Sequence, residues 1–260
     1  MSKLTSPGVR EALLAELNTP SKFGGPPSAE SVLRAAATRL GIAHGDRDLE
    51  QALLTQWGEL FRTGLLAWGE SLSSPNAPFF HLTERARQAL ANLTRDPSNP
   101  AGYLRHLNSV AHVDPIAQSY LSEALDCYVA GLFKAAAVMT GVSAESVIRD
   151  LCDATVQKLA SLGRPSPKGM GEGDWMFKTK SDSLHKFLSG YKTRFTRALQ
   201  EEFVYWPAFI QQIRATRNDA GHPTSIDPVT SDAAHASLLV FPEFAKLANS
   251  LDLWVKKDLT

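Results

Sequence analysis

Ile213-Arg214-Ala215-Thr216-Arg217-Asn218-Asp219-Ala220-Gly221-His222-Pro223 sets an arginine five positions ahead of a histidine. A helical pattern runs here into its stop signal. Gly221 suits the left-handed residue that ends many helices, and Pro223 cannot continue one. The spacing predicts Arg217 in the last helical turn and His222 on the turn that follows. Upstream, Trp206, Ile210, Ile213 and Arg217 are spaced 4, 3 and 4 and fall on one helical face. Arg217 therefore continues an apolar stripe. Guanidinium stays charged at any relevant pH, so a cation on a packing face calls for a partner. A fixed cation beside a titratable imidazole is a pair suited to cleaving a phosphodiester.

The pattern around this stretch is helical throughout. Amphipathic or Ala/Val-rich runs cover Pro115 to Gly131, Leu132 to Leu162, Ser181 to Glu202, Phe203 to Ala220 and Ser231 to Trp254. Strand signals are absent, which predicts an α bundle. Gly163 to Lys180 reads as a loop. Its Lys168-Gly169-Met170-Gly171-Glu172-Gly173 lacks the preceding strand and following Lys-Ser/Thr of a phosphate loop, so a flexible connector is expected. Asp96-Pro97-Ser98-Asn99-Pro100 marks the junction with the first half.

Three stretches carry a family resemblance. They are Tyr120-Leu121-Ser122-Glu123-Ala124-Leu125-Asp126 with Gly131 to Val138, Gly141-Val142-Ser143-Ala144-Glu145-Ser146-Val147-Ile148-Arg149-Asp150-Leu151, and Arg214-x-x-Arg217-Asn218-x-x-Gly221-His222-Pro223. Together, over about Pro115–Leu251, they resemble the HEPN superfamily (higher eukaryotes and prokaryotes nucleotide-binding). The second stretch looks like that family's second helix with its buried acidic residue, here Glu145. Many members are metal-independent ribonucleases in toxin, abortive-infection or antiphage systems, with the arginine and histidine of two subunits meeting across a dimer. Others have lost activity and act as binding modules.

The first half has a different grammar. Ser28-Ala29-Glu30-Ser31 opens a helix, and a second helical stretch starts at Asp48. Phe61 to Gly69 is strand-like, and Phe79 to Leu90 reads as a short strand entering a helix with Thr83 as N-cap. Trp57-x-Glu59-Leu60-x-x-x-Gly64-Leu65 and Phe80-His81-Leu82-Thr83-Glu84-Arg85 resemble a winged helix-turn-helix domain over Ser28–Leu93. The expected fold class is mostly α: a HEPN-like helical bundle preceded by a small winged-helix domain, α with a short β-wing. The expected divisions are a loosely ordered segment 1–27 with one short helical stretch, Val9 to Leu17, the winged-helix-like domain 28–95, a linker 96–113 and the helical domain 114–260.

Bulk composition narrows the function classes. The chain has 260 residues, 43% hydrophobic and 21% charged, with no net formal charge. Residues 1–105 hold 11 Lys/Arg against 10 Asp/Glu, so no general electrostatic footprint for DNA exists there. Cys127 and Cys152 form no CxxC pair or Cys/His cluster, so reduced, buried thiols are expected, without metal or cofactor. No apolar run is long enough to span a bilayer, and a cytoplasmic location is expected.

The candidate catalytic residues are Arg217, His222, Asn218 and Glu145. Glu145 either forms a packing ion pair with Arg217 or orients it to stabilise charge developing on phosphate. His222 either caps the helix C-terminus or transfers protons. Asn218 either orients phosphate or imidazole, or bonds a nearby carbonyl. In RNA a base would activate the 2′-hydroxyl and an acid would protonate the 5′-oxygen leaving group. One motif offers one histidine, so a homodimer with its twofold axis near His222 is expected to supply two. Candidate RNA-binding residues are Arg214 and the cluster Lys178, Lys180, Lys186, Lys192, Arg194 and Arg197. Trp175, Phe177 and Tyr191 interleave the cluster, which suits single-stranded nucleic acid or a plain solvated helix face. His44, His81, His106, His112, His185 and His235 share no ligand spacing and are expected in surface or packing roles. The expected partners are RNA, a second copy of the chain and possible antitoxin or other defence-system proteins, with no membrane. The competing readings are a non-catalytic adaptor and a transcriptional regulator, binding a partner protein or DNA.

Overall fold

Ser28 accepts a hydrogen bond from the Ser31 amide and so starts a helix at Ala29, as its position before Ala-Glu-Ser predicts. The computed structural model describes residues 6–19, 28–43, 45–171, 177–221 and 229–260. Among these the chain is mostly α, and it divides into two compact units, Met1–His106 and Leu107–Thr260.

The first unit runs α1 (Ser6–Leu17), α2 (Ala29–Leu40), α3 (Arg47–Arg62), β1 (Leu66–Trp68), β2 (Phe80–Leu82) and α4 (Glu84–Ala91). β1 and β2 pair antiparallel with Ala67 opposite His81. Thr83 caps α4 by accepting from the Ala86 amide, and its hydroxyl donates to the Gly64 carbonyl. Gly64 has a φ of 71°, the left-handed turn that ends α3 and aims the chain into β1. Within 1–27, expected to be loosely ordered, α1 packs on α2 and α3. Its Val9, Leu13 and Leu14 are buried in one core with Val32, Trp57, Leu60, Leu66 and Phe80. Its Arg10 is buried too and donates to the Ser98 carbonyl at 2.9 Å. Within 96–113, expected as a linker, Pro100–Val110 forms α5, with Tyr103 and Leu107 fully buried.

The second unit is built on α7 (Phe133–Ser161), which packs against α6 (Pro115–Val129), α10 (Trp206–Gly221) and α11 (Ser231–Asp258). The N-terminal half of its buried surface is made of small residues, among them Ala136, Ala137, Gly141 and Ala144, so neighbouring helices can approach closely there. Asp114 caps α6 through the amides of Ile116 and Ala117, ahead of Pro115 in the first turn. Thr230 caps α11 through the Ala233 amide.

One helix of the sequence reading is corrected. Ser181 to Glu202 is not continuous. α8 (Phe177–Ser189) stops before Gly190, Lys192–Arg194 make one 3-10 turn, and α9 (Arg197–Phe203) begins at the Thr196 cap. The break lets Phe195 turn inward, where its ring meets Phe203 and Trp254 edge-on at 5.4 and 4.8 Å. Burial of that ring outweighs a helical continuation that would leave it on the wrong face. The 163–180 loop differs from the expected flexible connector over its described part, because Met170 is fully buried. No helix of the described residues is long and apolar enough to cross a membrane.

Candidate active site at the end of α10

Trp206, Ile210 and Ile213 are buried along one face of α10, as their spacing predicts. Arg217 comes next on that face, and there the burial becomes partial. Its stem lies on α7, while its side chain as a whole keeps 38% of its exposure. The stem runs over Gly141: a Cβ built on that glycine would sit 2.5 Å from Cγ, 2.8 Å from Cβ and 3.1 Å from Cδ of Arg217. The guanidinium ends 3.6 Å from Glu145 Oε2, whose side chain is 23% exposed. So the two residues do meet, but at the loose end of ion-pair distance and in contact with solvent. A half-exposed pair of this kind contributes little stability, about 0–1 kcal/mol. A guanidinium carries five N–H donors, more than one carboxylate can take, so the group has the capacity to grip a further anion.

Asn218 is partly buried on the following position, and Arg214 is partly buried one turn earlier. His222 and Pro223 lie outside the described residues. Gly221 is the last helical residue, and its backbone is not in the left-handed region, contrary to the reading of it as a left-handed terminator. One position before Arg217, Thr216 is buried. Its hydroxyl donates to the Gln212 carbonyl and accepts from Ser237 of α11 at 2.9 Å. Sequence reasoning missed both this hydroxyl pair and the seat at Gly141. A signal for the latter existed: a lone glycine inside a long Ala-rich helix, four residues before Glu145.

The basic cluster separates into different roles. Lys180 is withdrawn from the RNA-binding set: it is 8% exposed, and its ammonium donates to the carbonyls of Met170 and Gly171. From α8, which begins at Phe177 inside the stretch expected to be a loop, it holds the backbone of Met170 and Gly171 in place. Lys178 pairs with Asp182 at 2.7 Å and Arg197 with Glu201 at 3.0 Å, both on the surface. Arg194 donates to the Asp258 carbonyl and the Thr260 hydroxyl. Lys186 and Lys192 are exposed. The interleaved aromatics are not an open stacking platform: Phe177 is buried, Tyr191 is covered by the guanidinium groups of Arg164 and Arg194, and Trp175 lies outside the described residues.

Of the histidines, His185 stacks on Phe203 and Trp206, and burial lowers its pKa. His235 shares a 2.8 Å hydrogen bond with the Tyr128 hydroxyl. His44 lies outside the described residues. Cys152 is buried and its thiol is pushed up to about 12 by desolvation, an inert packing thiol, while Cys127 is only half-buried. Among the described residues no group of three or more His, Cys, Asp or Glu could hold a metal ion.

A second polar feature lies between the α6 N-terminus, α7 and α11: a cleft of about 160 Å³ with Asp114, Asp150, Asp252, Asn249 and Lys256 around an apolar floor. Desolvation first, then the hydrogen bond and charge of Asp114 and the charge of Asp153, raise Asp150 from 3.8 to about 6, with Arg149 opposing. Folding thus favours the protonated carboxyl. The stabilising contribution is full below about pH 4 and is lost as pH rises through about 6. Asp150 is exposed, so solvent screens the effect, and Asp150→Asn is expected to raise the melting temperature only slightly at pH 8 and to leave it unchanged at pH 4. A constant difference across that range, read by calorimetry, would contradict the carboxyl pairing.

No protein-family model, no curated protein and no solved structure matches the chain.

Proposed function

We propose that this chain is a metal-independent endoribonuclease of the HEPN type, acting as a homodimer through Arg217 and His222. The observation that carries the reading is the setting of Arg217. It is a permanent cation, seated by its stem on Gly141, its side chain partly exposed, with one loosely held carboxylate beside it. Such a group can stabilise charge that develops on phosphate during transesterification. His222 follows the last helical residue directly in sequence, and an imidazole near a helix C-terminus is favoured in its protonated form. A second subunit would supply the second proton carrier, one acting as base at the 2′-hydroxyl and the other as acid at the 5′-oxygen. Glu145 orients the arginine, and Asn218 orients phosphate or imidazole. A role among toxin or antiphage systems, with an antitoxin or other defence protein as partner, comes from the family resemblance alone.

The 2′-hydroxyl is the internal nucleophile of this chemistry. With EDTA present, a single-stranded RNA is expected to be cut to a 2′,3′-cyclic phosphate end. The same strand with 2′-deoxynucleotides throughout is expected to survive. Cleavage of the deoxy strand, or strict need for a divalent ion, would refute the mechanism.

The first unit supports a second reading. The order α1–α3, β1, β2, α4 resembles a winged helix, and the hairpin region leaves Trp68, Leu72 and Phe79 exposed. Apolar side chains at the wing, in a half with almost no net charge, suit a protein partner better than a DNA backbone. The adaptor reading therefore stands ahead of a transcriptional regulator, and the wing can serve either adaptor or nuclease.

A further inference from the structure

We infer that Gly141 is a positioning residue for Arg217, acting through the arginine without itself touching substrate. The inference rests on the nuclease reading of Arg217 and goes beyond it. Glycine is a costly choice inside a helix compared with alanine, because it adds backbone freedom that folding must remove. α7 is otherwise alanine-rich and carries its single glycine at this position. The position is buried, and the atoms nearest to a built Cβ are Cγ, Cβ and Cδ of Arg217, all within 3.1 Å. No real methyl tolerates those distances. The bare backbone is thus what allows the arginine stem to lie flat across α7.

Helical periodicity brings in Glu145. Positions 141 and 145 are one turn apart and share a face of α7. Gly141 supplies the floor for the stem, and Glu145 supplies the opposite charge where the stem ends, 3.6 Å from the guanidinium. A methyl at 141 lifts the stem, moves the guanidinium off Glu145 and shifts the cation from its place over the reacting phosphate. Displacements of about 1 Å at a positioned group can cost about a hundredfold in rate.

The test uses the full chain and compares wild type, Gly141→Ala, Arg217→Ala, Arg217→Gly and the double variant Gly141→Ala/Arg217→Gly for RNA cleavage in EDTA. Gly141→Ala is expected to lower kcat by about tenfold to a hundredfold. KM should stay within about twofold, since the RNA-contacting surface is untouched. The Arg217→Ala variant would keep the Cβ that a methyl at 141 meets at 2.8 Å, so additivity is read on glycine: adding Gly141→Ala to Arg217→Gly is expected to change the residual rate no further. If Arg217→Ala abolishes cleavage and Gly141→Ala leaves kcat unchanged, the positioning role is overturned while the nuclease reading stands. Should Arg217→Ala itself leave cleavage intact, the nuclease reading falls first, and this inference falls with it.

A folding arm covers the case in which Gly141→Ala does not fold. Arg217→Gly removes every stem atom that the methyl would meet. Gly141→Ala/Arg217→Gly is therefore expected to fold and melt as Arg217→Gly does. A double variant that melts far below Arg217→Gly would place the clash elsewhere and overturn the inference.

Discussion

Arg217→Ala is expected to lower the EDTA-resistant cleavage rate by about 100- to 1000-fold, the range seen when one preorganised donor to a developing negative charge is removed. The melting temperature should barely move. The two expectations come from the same geometry. The Arg217 side chain is partly exposed and its guanidinium lies 3.6 Å from the carboxylate, so the folded state gains little from the pair. Losing the cation still removes a permanent charge from the position where phosphate charge would grow. His222→Ala should cause a comparable loss and remove the histidine limb of the pH–rate profile, because no other group in the motif can carry a proton near neutrality. Both variants are checked by initial rates together with the mass of the assembly in solution. Full activity in Arg217→Ala would remove this residue from the chemistry and leave Glu145 and Arg217 as a packing pair.

Leu13→Ala is expected to destabilise the first unit by about 2–5 kcal/mol, the cost of emptying a fully buried leucine site. Leu13 is completely covered and belongs to a core that also contains Trp57, Leu60 and Phe80. Truncation leaves a void beneath α2 and α3, which pack against α1. The loss should appear in urea denaturation as an earlier unfolding step, with cleavage measured at low temperature retained. An unchanged profile would mean that the N-terminal helix contributes nothing to the core.

The two predictions differ in how far the sequence alone could reach. The stripe Trp206, Ile210, Ile213, Arg217 was legible because helical period puts like with like, and the structure buries the first three. The caps at Ser28 and Thr83 were legible because short polar side chains ahead of a helix have few other uses. α1 was legible as a short helical stretch, Val9 to Leu17, but not as part of the core. It is flanked by Pro and Gly loop signals, and only tertiary packing shows that Val9, Leu13 and Leu14 are core residues. The break after Ser189 had one visible signal, Gly190; what the sequence hid is that Phe195 then packs on Phe203, eight residues on, and on Trp254, far along the chain. Lys180 was read from its charge, and charge does not show which carbonyls a flexible stem will find.

Ser237 on α11 keeps its hydroxyl away from water, with Thr216 as its acceptor. Axial slip of one helix along the other would strand that donor, and a lone buried hydroxyl costs about 1–3 kcal/mol. The seam therefore has a single comfortable longitudinal setting, and the cation next door inherits its height from it. A molecule binding along α11 would either leave that setting alone or abolish it, so any signal passing this way arrives as a step and not as a slope.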